Sequence, residues 1–157
     1  MTTIAWDGVV LASDTQSTTG DMICSLKEKK IFQLKENEMW NINGEKIQAF
    51  GAAGDCGCET AIIEHLVTGM NYKSDFPEIM SFSAIAIVGK NVSYLIFKEK
   101  DKKTASISLH IDFFSVGSGS VIARTAMSLG RNAIEAVKVA IDMDVYSGGD
   151  VNLYRIE

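Results

Sequence analysis

Residues 2–14 read Thr2-Thr3-Ile4-Ala5-Trp6-Asp7-Gly8-Val9-Val10-Leu11-Ala12-Ser13-Asp14, and the architecture is decided there. Two apolar, β-prone runs flank Asp7-Gly8. Both residues of that dipeptide tolerate positive φ, so a two-residue hairpin turn is predicted. That register pairs Trp6 with Val9, Ala5 with Val10 and Ile4 with Leu11. Thr2 then falls opposite Ser13, and Asp14 sits beside the start of the chain.

Outward from this hairpin the pattern stays strand-rich. Residues 30–34 read as a strand. Residues 39–42 and 46–50 flank Asn43-Gly44 as a second hairpin. The small residues Gly51-Ala52-Ala53-Gly54 precede Asp55, a predicted N-cap. Cys58, Ile62 and Leu66, with Ile63 and Val67, form an amphipathic stripe that Gly69 stops. Strands follow at 83–88, 92–98, 104–111 and 113–116. Two helices are expected near 121–129 and 131–143, with Gly130 between them, and then a last strand at 151–156. This order is not the strict alternation of a doubly wound sheet. It predicts one α+β domain over residues 1–157, with two antiparallel sheets packed together and helices outside.

Composition narrows the function. A net charge of -5 disfavours nucleic acid as the main partner, because phosphate binding needs a basic face. The run Lys98-Glu99-Lys100-Asp101-Lys102-Lys103 mixes both signs and reads as a solvated loop. Cys24, Cys56 and Cys58 form neither a disulfide framework nor a zinc pattern, so they read as small core or wall residues. His65 and His110 stand alone and read as structural. No metal or other cofactor is expected. No apolar run is long enough to cross a bilayer, and no targeting segment is visible, so a cytoplasmic protein without membrane contact is expected.

A threonine hydroxyl is a poor nucleophile without a base beside it. Removal of Met1 would give Thr2 such a base, its own α-amine, with an ordinary pKa of about 7.7–8.0. Several further segments bear on that reading: Gly8 to Thr15, Lys29-Lys30-Ile31, Gly51 to Cys56, Val116 to Ser120, and Asp144 to Tyr154. Together and in this order they resemble the proteasome β subunits and the bacterial peptidase HslV.

The resemblance implies a four-layer αββα sandwich of the N-terminal-nucleophile hydrolase type. It implies a threonine endopeptidase that cleaves peptides or unfolded proteins inside a ring-shaped chamber. By the same resemblance, Thr2 would attack, Lys30 would lower the pKa of the amine, and Asp14 would orient Lys30. The Gly51 N–H would hold the oxyanion, and Ser118, Asp144 and Ser147 would surround the Thr2 amine. Ser17, Thr18, Glu28, Phe32, Ala49 and Ala53 would line the substrate pocket, with Glu28 favouring basic side chains. Partners would be further copies of the chain in single or stacked double rings, and an AAA+ unfoldase ATPase. Two departures stand out: the first hairpin is short, and residues 54–83 have room for one full helix where the family has two. A catalytically silent ring subunit and a hydrolase acting on a small amide are the alternative readings.

Overall fold

The computed structural model describes residues 2–157. Its first two strands, β1 (Thr3–Trp6) and β2 (Val10–Ser13), form the expected hairpin in a different register. Ile4 lies opposite Ser13, and Trp6 opposite Leu11, so the connection is longer than two residues. The Asp7 carboxylate explains the change. Its Oδ1 accepts the N–H groups of Val9 at 2.9 Å and Val10 at 2.8 Å. Its Oδ2 accepts the Ala133 N–H at 2.8 Å. A turn wound around its own side chain needs the extra residues. The displacement is even, so every side chain keeps its face. Asp14 still ends beside the first residues, now next to Thr3, whose carbonyl accepts the Asp14 N–H at 3.2 Å.

A short hairpin follows, β3 (Ser17–Thr19) and β4 (Met22–Ser25), which the sequence pattern did not reveal. β5 (Ile31–Gln33) precedes a small hairpin of β6 (Asn41–Ile42) and β7 (Glu45–Lys46). Asn43 and Gly44 both have positive φ, as a tight two-residue turn requires. The small-residue segment is itself a strand, β8 (Ala49–Gly54), followed by α1 (Cys58–Thr68). Asp55 does not cap α1. Gly57 occupies that position in a left-handed conformation, while Asp55 accepts the Ser81 N–H at 2.8 Å. β9 (Phe82–Gly89), β10 (Val92–Lys98), β11 (Ser106–His110) and β12 (Phe114–Gly117) come next. The chain ends with α2 (Ser120–Ser128), α3 (Ala133–Met143) and β13 (Asn152–Arg155). A capping box between Asn132 and Glu135 fixes the start of α3.

The strands form two principal sheets, one ordered β12-β1-β2-β13 and the other β11-β10-β9-β8-β5. Alternation along the strands builds the layers. Ile4 and Trp6 of β1 meet Ile85 and Ile87 of β9 between the sheets. Ala5 and Ala12 face outward against Ala123, Ala126, Ala133 and Ala136 of α2 and α3. Such small residues let helix and sheet approach closely. On the far side, Phe50, Ala84, Ala86 and Ile96 pack against Ile62 and Leu66 of α1. The result is the expected four-layer αββα sandwich, with one helix in one outer layer and two in the other.

Lys98 departs from the solvated-loop reading. It is buried, and its ammonium donates to the carbonyls of Met80 at 2.8 Å and Glu99 at 2.7 Å. Among the described residues, no helix is long and apolar enough to cross a membrane.

Ile85 is wholly buried between the sheets. Ile85→Ala is expected to cost about 2–5 kcal/mol of stability by urea denaturation. Val67→Ala, on the exposed side of α1, should stay within about 0.5 kcal/mol.

Candidate active site

Asp14 is fully buried at the end of β2, and four donors converge on it. Oδ1 accepts the Thr3 N–H at 3.0 Å and the Lys30 ammonium at 2.8 Å. Oδ2 accepts the N–H groups of Gln16 at 3.3 Å and Gly148 at 3.0 Å. The Lys30 ammonium also donates to the Gln16 carbonyl. One carboxylate therefore ties together the first strand, the segment before β5 and the loop before β13. Burial pulls the Lys30 pKa below the ordinary lysine value, outweighing the charges of Asp14, Glu28 and Asp144 that push it up.

A second acid stands at the C-terminal end of α3. Asp144 caps that helix and accepts the hydroxyls of Ser118 and Ser147, each at 2.6 Å, on Oδ2. Its Oδ1 accepts the Tyr146 N–H at 3.2 Å. Burial alone would raise its pKa. The hydrogen bonds from Ser118 and Ser147 prevail and hold the carboxyl below its ordinary value.

Thr2 lies between these two networks. Its carbonyl accepts the Gly119 N–H at 3.5 Å and lies 3.4 Å from the Ser118 hydroxyl. Gly117 has a φ of +99°, and a Cβ there would run into the Thr2 carbonyl, so glycine is required on both counts. Thr2 also lines a cleft of about 1170 Å³ that runs along the edge strand β12. Ala53, Val116, Phe97 and Phe114 give this cleft an apolar floor. Phe97 and Phe114 meet edge to face at 6.3 Å. Lys98, Glu99, Lys100, Asp21 and Asp55 also line it.

Thr2, Asp14, Lys30, Ser118, Asp144 and Ser147 are thus gathered at one end of the sandwich. Thr18 and Ala53 line the cleft. The remaining pocket expectations need correction. Phe32 stacks on Phe50 at 5.2 Å and packs in the α1 layer, on the other face of the sheet. Ala49 is wholly buried between Gln33 and Ile87 in the ladder. Glu28 is exposed, donates its N–H to Thr15, and does not line the cleft. Ser17 pairs with Ser25 in the β3–β4 hairpin and is likewise absent from the lining.

Gly51 also stands apart from the cleft. It sits between Ile31 and Ile85 in the sheet, with its Cα face against Ile4 and Leu11. The Ala52 N–H donates to Lys30. Alternation along the strand therefore turns the Gly51 N–H the other way, toward β9.

Sequence reasoning passed over Thr3, which is wholly buried and bonded to both acid networks. It also passed over Phe97 and Phe114, which read as ordinary strand residues. Both pack against the core between the sheets and also line the cleft, and a half-buried strand residue leaves no local signal of that. His65 contacts the Asp75 carbonyl at 2.6 Å and the Phe76 ring, while His110 packs against Phe114. Cys24 and Cys56 are exposed rather than core residues. The Cys58 thiol is in the core, where burial pushes its pKa up to about 12.

No family model matches the chain. Among curated proteins it is similar to proteasome subunit beta 1 of Thermococcus onnurineus, with 24% identity over 96% of this chain and 83% of the relative. The same-named subunit of Thermococcus gammatolerans is 27% identical, over 96% of this chain and 84% of that one. Among solved structures, HslV of Trypanosoma brucei superposes with a TM-score of 0.63 and 16% identity, covering 98% of this chain and 97% of the other. BPH of Thiobacillus denitrificans, solved in complex with epoxomicin, gives a TM-score of 0.66 at 14% identity, covering 99% and 97%. These likenesses share one fold.

The lowered pKa of Asp144 has a consequence for stability. A carboxyl held below its unfolded value stabilises the fold fully above that unfolded value, and the contribution is lost as pH falls through the folded one. Ser147→Ala removes one of the bonds that lower it, so less stability should be lost on acidification. Urea midpoints of both forms at neutral pH and below pH about 4 test this. An identical acid-induced loss in both would contradict it.

Proposed function

We propose that this chain, a member of the family of proteasome β subunits and HslV, is a threonine-type peptidase with Thr2 as its nucleophile. The observation that carries this reading is the position of Thr2. It opens on a cleft, while its main chain is held beside a buried Lys30–Asp14 pair and an Asp144–serine network. A silent subunit would not need Thr2 to open on a cleft beside these two networks.

The mechanism requires removal of Met1, which lies outside the described residues. The freed α-amine takes the Oγ proton as Oγ bonds to the peptide carbonyl carbon. The C–N bond then breaks, and the leaving amine carries that proton away. The acyl half remains as an ester on Thr2. Water, deprotonated by the same amine, hydrolyses the ester and regenerates the hydroxyl. The Lys30 charge favours the neutral, basic form of the amine, and Asp14 holds Lys30 in place. Asp144, Ser118 and Ser147 orient the amine. The oxyanion is met by a main-chain amide of the cleft wall, such as that of Gly54, rather than by Gly51.

The curated relatives are named as subunits of an assembly, which supports self-association into rings around an enclosed site. An unfoldase ATPase would then deliver unfolded chains, and a cytoplasmic setting fits that role. The apolar floor of Ala53, Val116, Phe97 and Phe114 suits apolar side chains better than the basic ones expected from Glu28.

Intact-mass measurement after treatment with a peptide epoxyketone should show loss of Met1 and a single adduct on Thr2. Thr2→Ala should fold and assemble without cleaving peptides. Protein that keeps Met1 and takes no adduct would sink the mechanism. In a fluorogenic panel, peptides with aromatic or aliphatic residues should be cleaved faster than basic ones by on the order of tenfold. A preference for basic residues would overturn the assignment of the cleft floor.

A further inference from the structure

The two acid networks are built on distant parts of the chain, around Asp14 and Asp144. Thr3 makes hydrogen bonds to both. Its N–H donates to Asp14 Oδ1 at 3.0 Å, and its carbonyl accepts the Asp14 N–H at 3.2 Å. Its Oγ1 lies 2.7 Å from the Ser147 hydroxyl oxygen. The Ser147 hydroxyl has one proton, which it donates to Asp144 at 2.6 Å. Thr3 must therefore be the donor toward Ser147. The hydroxyls form a directed chain from Thr3 through Ser147 to the Asp144 carboxylate, which Ser118 approaches from its own side.

We infer that Thr3 is a positioning residue that locks the Lys30–Asp14 pair and the Asp144–serine network into one frame around Thr2. The inference rests on the peptidase reading above.

Three features support the role. Thr3 is wholly buried, where an unpaired hydroxyl would be costly and valine would serve packing equally well. Its hydroxyl lies against Gly119, where any Cβ would collide with it and crowd Asp144. Space on the neighbouring turn is thus left for this hydroxyl. Thr3 is also joined covalently to Thr2, so holding its main chain and side chain together restricts the residue that must attack. Gln16 also bridges the two regions, with its backbone N–H on Asp14 and its side chain on the Val145 carbonyl, but it does not enter the hydroxyl chain.

Thr3 does not line the cleft, so removing its hydroxyl should affect the chemical step rather than substrate binding. The test uses the full chain with a fluorogenic peptide, and the rate of epoxyketone labelling at Thr2. Thr3→Val keeps shape and volume and loses only the donor. It should lower kcat about tenfold with KM within about twofold, and slow labelling in parallel. Thr3→Ser, which restores the hydroxyl, should recover most of both rates. Ser147→Ala combined with Thr3→Val should be little worse than Ser147→Ala alone, because the two act in one chain.

Thr3→Ala against Thr3→Ser gives the same comparison should Thr3→Val not fold. Wild-type kcat and labelling in a variant without the hydroxyl, or strictly additive losses in the double variant, would overturn the role of Thr3. A wild-type chain with Met1 removed that neither cleaves peptides nor takes the probe overturns the peptidase reading itself, and this inference with it.

Discussion

The Asp14 carboxylate is the constraint on which the site depends. It is wholly buried, and its two oxygens receive one ammonium and three backbone N–H groups. A buried carboxylate is costly unless every lone pair is met, so each donor must arrive where Asp14 needs it. Those donors come from the first strand, from the residues around β3, from the segment before β5 and from the loop before β13. The sandwich cannot close around Asp14 without bringing these four places together. The frame around Thr2 is, in this sense, a by-product of satisfying one acid.

The layers then determine where the site can open. Between the sheets the core is made of large side chains such as Ile4, Trp6, Leu11, Ile85 and Ile87. Toward α2 and α3 it is made largely of alanines. Helices lying close on the first sheet bring the N-terminal end of α2 and the C-terminal end of α3 to the same edge as Thr2. Ser118 precedes one helix and Asp144 ends the other, so the second network is assembled by helix docking. The half-buried rings of Phe97 and Phe114 pack against the core between the sheets and also line the cleft.

The first hairpin keeps its faces although its turn is longer than the two-residue form its sequence predicts. Asp7 reads as half of a two-residue turn, yet its carboxylate organises a longer one. The resulting displacement was even, so faces were preserved and Asp14 still met the first residues. Residues in β5 and β8 had no such protection. The resemblance puts Phe32 and Ala49 at the pocket and the Gly51 N–H at the oxyanion, but their positions depend on which face and which edge of the sheet each residue presents. Phe32 turned to the α1 side. Ala49 and Gly51 stayed inside the ladder.

What the sequence alone determined was the periodicity and the punctuation. Alternating apolar strands and a helix pair split at Gly130 specified an α+β sandwich. The dispersed motifs around Thr2, Asp14, Lys30, Ser118, Asp144 and Ser147 named a site before any contact was known. These signals are local, because strand alternation, helix stripes and glycine turns are written in neighbouring residues. What the tertiary structure alone decided was everything set by meetings across the fold. It made Thr3 the residue shared by both networks and opened the cleft onto Phe97 and Phe114. It also withdrew Gly51 from the wall. Those outcomes depend on sheet edge, strand length and the demand that one buried carboxylate be fully bonded, none of which a short stretch of chain encodes.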